Sequence, residues 1–412
     1  MARSQPEIAI IGGGPAGLTL GLLLCKCDIP FTIFELREKP TEEEIAKPSG
    51  MLDLHVESGL AALRECGLYD RFLQLTDETS EAQIVSDKDG NILHTDDGEL
   101  SERPEVSRHA LTNLLTTDLP SNTIKWDHKL LSATSLTTPS GTKIELDFGP
   151  HGKLLFDFVI GADGAWSRVR SLLTDVKPKY AGTQNITTNI TKLAKYPHLA
   201  ELIGRGSFSA LGLRHGVTSH RLSQDAARLY TFFTLPDEDF PSSSGLSSST
   251  AAAAKDQILQ DDALLGRFGP IIKELFAVSC DEETQDNPGS LLDIKPLYTL
   301  PIGASWEHRA NVTLIGDAAH LMCPWAGEGV NLAMWDSLLL AHAIIEAYEA
   351  AWRNGGSFIN ALDPLLQKFE VDQVERNKEK AQETYDNGQM LFGEDGAKAF
   401  AEFFQRVYSM AQ

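Results

Sequence analysis

An apolar run, Ile8-Ala9-Ile10-Ile11, passes straight into Gly12-Gly13-Gly14-Pro15-Ala16-Gly17, and a second run, Phe31-Thr32-Ile33-Phe34, closes on Glu35. Few arrangements satisfy that order. A buried strand must turn sharply into a helix and return as a parallel strand, the unit from which doubly wound sheets are built. Gly12 allows the tight turn, Gly14 lets backbone approach a pyrophosphate, and Gly17 lets the helix pack on the strand. The helix beginning near Pro15 points its positive end at that phosphate. Glu35 stands near the offset, about 20 residues, at which an acid accepts a hydrogen bond from a ribose 2′-hydroxyl. Ala16 in the turn and Arg37 just past the acid join the candidate contacts. The pattern implies a bound dinucleotide and leaves its identity open.

At 412 residues the chain exceeds the size at which one core stops growing, so two packed domains are expected. With 42% hydrophobic and 23% charged residues, disorder is excluded for the chain as a whole. A net charge of -22 opposes nonspecific binding to nucleic acid or anionic lipid. The five cysteines, Cys25, Cys27, Cys66, Cys280 and Cys323, form no disulfide or zinc pattern and read as buried thiols; no metal site is expected. Nothing ahead of Ile8 resembles a signal peptide, and no uninterrupted apolar stretch reaches membrane-spanning length. Glycosylation-type triplets at Asn185, Asn189 and Asn311 are then incidental, and a soluble cytoplasmic monomer is expected.

Strands are expected at 7–12 and 30–35 around a helix at 15–28, a strand or turn at 52–55, and a helix over 56–75. Hairpin signals follow at Asp89-Gly90 and Asp97-Gly98. Ser107 caps a helix to about 116, with Arg108 in its first turn, where a nearby anion would offset the opposed helix dipole. Short strands fill 123–160 and lead into Gly161-Ala162-Asp163-Gly164, followed by a helix bearing Ser167, Arg168 and Arg170. Residues 181–235 read as an antiparallel region, 240–254 as a loop or helix entry, 255–279 as helices and 293–299 as a strand. The chain then returns to the first domain through the strand at 311–315 and Gly316-Asp317, with helices at 327–349, 358–390 and 395–410.

Three separated motifs, Gly12–Gly17, Gly161–Gly164 and Gly316-Asp317-Ala318-Ala319-His320, occur in the order found in class A FAD-dependent aromatic hydroxylases. The chain resembles that family, and within it the tetracycline-inactivating monooxygenases, through Gly50–His55, Pro104–Arg108 and Ile315–Asn331. The resemblance implies a mixed α/β and α+β fold: a Rossmann-like FAD-binding domain, an interleaved antiparallel-sheet substrate domain and a C-terminal helix. It implies FAD-binding segments at 1–75, 106–180 and 301–357, substrate-domain segments at 76–105 and 181–300, and a helical tail at 358–412. Gly12, Gly14, Gly17 and Glu35 would hold the adenosine side of FAD, and Arg108 would lie near it. Asp163 would serve flavin and reduced nicotinamide, and Asp317 the ribityl–pyrophosphate region. Pro324 and Gly327, Glu328, Gly329, Val330 and Asn331 would pass beside the isoalloxazine, with Pro324, Trp325 and Gly327 positioning the flavin for catalysis.

The activity so implied is oxygen insertion from O2 into an aromatic or polycyclic small molecule, with NADPH or NADH as reductant and a role in secondary-metabolite biosynthesis. Baeyer–Villiger oxidation or epoxidation is the same-scaffold alternative, and a non-catalytic FAD-binding escort protein the distant one. Thr187, Phe208, Leu211, Phe232 and Pro324 are the candidate substrate contacts, with Met322 beside them. Thr187 stands where the tetracycline enzymes carry a substrate-facing glutamine, and no arginine near Gly204–Phe208 matches theirs cleanly, although Arg205 or Arg214 could compensate; tetracycline is therefore not the expected substrate. His55, His215 and His320 read as structural more than catalytic, and no nucleophile triad or paired-carboxylate system is evident.

Overall fold

The computed structural model describes residues 5–47, 49–76, 82–98, 103–139, 141–222 and 225–411, with side chains through Arg406. The chain divides into two compact units: Met1–Thr76 with Arg103–Lys179 and Tyr298–Thr384, and Asp77–Glu102 with Tyr180–Leu297 and Tyr385–Gln412.

In the first unit, Val312–Leu314, Phe158–Gly161, Ile8–Ile11, Thr32–Phe34 and Ile124–Lys125 line up in that order as a sheet with every neighbouring pair parallel. Ile8, Ile10, Phe158 and Ile160 enter one apolar core, while Ala9, Ile11 and Val159 enter another on the opposite face. Burial on both faces is why these strands read as unbroken apolar runs. The helices Pro15–Lys26, Gly59–Cys66 and Gly329–Asn354 close the first core. A three-stranded antiparallel sheet of Lys153–Phe156, Gly141–Asp147 and Ser132–Thr138 closes the second. Met51–Asp53 pairs antiparallel with Glu105–Ser107, a strand that leaves no mark in the sequence pattern.

Two expectations for this unit need correction. Residues 56–75 form two helices, Gly59–Cys66 and Tyr69–Leu73, because Gly67 adopts φ +75° and its N–H donates to Arg64 O, ending the first. Beyond Gly164 there is a turn and only the short 3-10 segment Arg170–Leu172. The Asp163 carboxylate accepts the amides of Arg168 (2.7 Å) and Val169 (3.3 Å) that a helix would have used otherwise. Although no apolar stretch runs uninterrupted, the 26-residue helix Gly329–Asn354 is by length and mean composition apolar enough to cross a membrane. Its most apolar window is 61% buried against Pro15–Lys26 and Gly59–Cys66, as befits a core helix.

In the second unit seven strands follow the order Asp293–Thr299, Lys179–Ile190, Ala226–Thr234, His215–Leu222, Ser207–Gly212, Gln83–Asp87 and Ile92–Asp96. The sheet is not purely antiparallel, since Ser207–Gly212 and Gln83–Asp87 run parallel. Gln83–Asp87 and Ile92–Asp96 form the expected hairpin around Gly90, at φ +87°. The return strand expected after Asp97-Gly98 lies outside the described residues. Helices Ala251–Gln260 and Pro270–Asp286 cover one face of the sheet. Helix Gly396–Ala411 packs on Gln83–Asp87, Ile92–Asp96 and Ser207–Gly212, with Phe404 stacked on His94 at 5.0 Å.

Candidate active site

The glycines of the first turn do different work. Gly12 has φ +114°, and a Cβ there would sit 2.1 Å from Ala162 O. A Cβ on Gly17 would sit 2.0 Å from Gly12 O, so both are fixed by the approach of backbone to backbone. Gly14 differs: a Cβ would meet nothing within 4 Å, and the residue precedes a helix with no side-chain cap and no acid in its first turn. That is an open, positively polarised helix end suited to a phosphate. Glu35 is buried and braces the turn, accepting from Gly13 N at 2.6 Å and from Arg37 N and Nε at 3.0 and 2.7 Å. Its oxygens retain lone pairs for a ribose hydroxyl.

Arg108 is the first residue of the helix Arg108–Thr117, whose cap, Ser107 Oγ, accepts from Ala110 N at 3.1 Å as expected. Its backbone N–H donates to Gly50 O at 2.9 Å, and its guanidinium is exposed with no hydrogen-bond partner among the described residues. Asp317 begins the short helix Asp317–His320 and is likewise without a partner there. Its surface is open to solvent, yet the protein packed around it pushes its carboxyl up from the ordinary value, while His320 and Arg108 pull it back. Asp163 is committed to its own loop: besides the two amides, Ser167 Oγ donates to it at 2.5 Å. Burial pushes its carboxyl up, against the pull of those bonds.

Pro324–Ala326 form a 3-10 turn ending at Gly327, with φ +68°, where a Cβ would lie 3.3 Å from Asp53 Oδ1. A Cβ on Gly329 would meet nothing within 4 Å, and the helix it opens has no side-chain cap. Asn331, fully buried, is a strut. Its Oδ1 accepts from His55 N (2.8 Å) and Ser58 Oγ (3.3 Å), and its Nδ2 donates to Asp53 O (2.9 Å).

Open backbone at Gly14 and Gly329, two uncapped helix ends and the unpartnered Asp317 carboxylate fit a dinucleotide carrying a planar ring. A family profile described as an FAD binding domain matches residues 5–223 and 304–354. Monooxygenase penA of Penicillium thymicola is 34% identical over 96% of this chain and 97% of its own length. The chain belongs to the FAD-binding monooxygenase family. In fold it is similar to Klebsiella pneumoniae HpxO, solved with FAD and uric acid, at TM-score 0.72 and 15% identity over 98% of this chain and 92% of that one. Tetracycline destructase Tet(51) follows at TM-score 0.65 and 19% identity over 98% and 96%.

In this FAD-dependent monooxygenase the candidate substrate residues do not share one face. Phe208 and Leu211 lie three apart on Ser207–Gly212, so they point to opposite sides of the sheet. Phe208 sits in the helix-covered core with no exposure. Thr187, Tyr230 and Thr218 are cross-strand neighbours, and Phe232 and Leu211 both flank Gly216, which places all five on the other face. His215 is structural: Nε2 donates to Ala263 O at 3.0 Å, Nδ1 accepts from Thr234 N at 3.2 Å, and burial lowers its pKa.

Two monooxygenase features escape the motifs. Arg170, buried, donates to Ala165 O and Ala318 O, tying the Gly161–Gly164 loop to the Asp317 helix. Asp336, fully buried in Gly329–Asn354, accepts from Gly316 N (3.0 Å), His320 Nε2 (2.6 Å), Gln373 Nε2 (2.8 Å) and Arg376 (2.8 Å). Burial alone would raise its carboxyl, but His320 and Arg376 hold it below the ordinary value. Its signal was available as a lone acid in an otherwise apolar helix run. His320 thus has the structural role expected of it. Burial pushes the thiols of Cys66 and Cys323 up to about 12 and about 11, whereas Cys27 is exposed and departs from the buried-thiol expectation.

Proposed function

We propose that this FAD-dependent monooxygenase draws electrons from NADPH or NADH and inserts one oxygen atom from O2 into an aromatic or polycyclic metabolite during secondary-metabolite biosynthesis. The observation that carries the reading is the pair of open, uncapped helix ends at Gly14 and Gly329, with the unpartnered Asp317 in the same unit. Bound FAD supplies the oxygen-activating chemistry. The N–H groups of Gly14, Ala16 and Gly17 would hold its pyrophosphate, Glu35 would take the adenosine ribose, and Asp317, with Arg108 near it, would take the ribityl chain. Pro324, Trp325 and Gly327–Asn331 keep the ring in place, the helix end at Gly329 favouring negative charge on it. Asp163 acts by shaping its loop.

Thr187, Leu211 and Phe232 are the substrate contacts proposed in the second unit, and Pro324 is a substrate contact proposed in the first. The domain boundaries proposed are the interleaved segments 1–75, 106–180 and 301–357 against 76–105 and 181–300, with the tail at 358–412, in a cytoplasmic monomer. Thr187, where the tetracycline enzymes carry a glutamine, favours a substrate other than tetracycline. Screening aromatic and polycyclic metabolites for accelerated NAD(P)H consumption, with product identification, tests the assignment. Hydroxylated product supports it; ring-expanded or epoxide product reassigns the reaction. Tight FAD binding with no substrate-stimulated consumption supports an escort protein instead.

A further inference from the structure

Behind the turn at Gly327 lies a row of ionisable side chains, Asp53, His55, Glu328 and Lys380. His55 follows the strand Met51–Asp53, and its side chain is only 5% exposed. Nε2 lies 3.0 Å from Asp53 Oδ2 and Nδ1 lies 3.5 Å from Glu328 Oε2. Glu328, itself buried, meets Lys380 Nζ through its other oxygen at 2.5 Å, and Lys380 also pairs with Glu383 at 3.2 Å. Nε2 therefore meets an acceptor at hydrogen-bond distance and Nδ1 a carboxylate at ion-pair distance, so a proton arriving on the ring would be flanked by two carboxylates. The main chain at His55 is fixed as well, since its backbone N–H donates to Asn331 Oδ1 at 2.8 Å.

Asp53 is the accessible end of the row. Its side chain is 35% exposed, and Oδ1 lies 3.3 Å from the place of a Cβ on Gly327. The reaction needs a proton donor. Substrate RH, O2, NAD(P)H and one proton give ROH, NAD(P)+ and water, so each turnover takes up one proton in a site that must exclude bulk water. We propose that Asp53 is the group that exchanges this proton with the bound reactants, and that His55, held by Glu328 and Lys380, is the positioning residue that stores it. The proton passes from His55 Nε2 to Asp53 Oδ2 and on to the oxygen atom that leaves as water; solvent restores it through Asp53. The inference rests on the reading that the Gly327–Asn331 segment lines the flavin.

The test compares FAD-loaded wild type with Asp53→Asn, Asp53→Glu and His55→Gln. Three quantities are read: FAD retention, the pH at which the oxidised bound flavin ionises in its visible spectrum, and the pH profile of turnover. All variants should retain FAD. Removing the negative charge in Asp53→Asn should lower the ionisation pH, and removing the positive one in His55→Gln should raise it. Both should slow turnover about 100-fold and erase one limb of its pH profile, within the range for positioned acid–base groups. Asp53→Glu should restore the limb. If His55→Gln fails to fold, Asp53→Asn, at a partly exposed carboxylate, decides the matter. FAD-loaded variants with wild-type flavin ionisation and a wild-type pH profile overturn the inference. A wild type that binds no FAD overturns the site reading beneath it, and the inference with it.

Discussion

Gly12 and Gly14 are two residues apart and answer to different forces. Gly12 is required by the fold, with its left-handed backbone and Ala162 O in the way of any Cβ. Gly12→Ala should therefore destabilise the protein by about 3 kcal/mol, measured by urea unfolding. Gly14 has an extended backbone and open space, so Gly14→Asp should fold normally. It should lose FAD affinity on the order of 100-fold, because a carboxylate then faces the pyrophosphate. Normal FAD occupancy in that variant would move the cofactor elsewhere. The motif was legible because its glycines sit where backbone meets backbone, at Gly12 and Gly17, or where space is left open at a helix end, at Gly14. The substrate residues were less so: Phe208 and Leu211 are equally apolar, and only strand register shows that they face opposite ways.

At the scale of elements, the helix Gly329–Asn354 both begins without a side-chain cap and carries Asp336 in its interior. Asp336→Ala leaves His320 and Arg376 without their carboxylate and should cost about 3–5 kcal/mol, read from denaturant midpoints. Because its folded pKa is depressed, Asp336 contributes stability that is complete above the ordinary carboxylate range and is lost as pH falls through the folded value. Wild type and Asp336→Ala should converge in acid. This cluster joins residues far apart in sequence, Gly316, His320, Asp336, Gln373 and Arg376, and spacing alone could not assemble it. The helix missing after Gly164 has a local cause instead, a carboxylate competing for backbone amides.

For the whole molecule, the parallel sheet was readable because strands buried on both faces give unbroken apolar runs. The parallel pair in the second unit was not, since its partners, Gln83–Asp87 and Ser207–Gly212, are brought together only by long-range topology. Global stability should also respond to His308, which bonds Glu370 Oε2 at 2.7 Å and Asp363 Oδ1 at 2.9 Å. Burial opposes its charge, but the two carboxylates prevail and raise its pKa above 6.5. Its contribution is complete below the unfolded value and fades as pH rises through the folded one. His308→Gln should thus lose about 1–2 kcal/mol in mildly acidic buffer and little well above that range, measured by urea unfolding across pH. Oxygen insertion by a bound flavin leaves an isotopic signature, read by turning over an accepted substrate under labelled O2 and analysing the products by mass spectrometry. One labelled atom should appear in the organic product and the other in water; label in peroxide or water alone, with none in any product, would show that no oxygen is inserted.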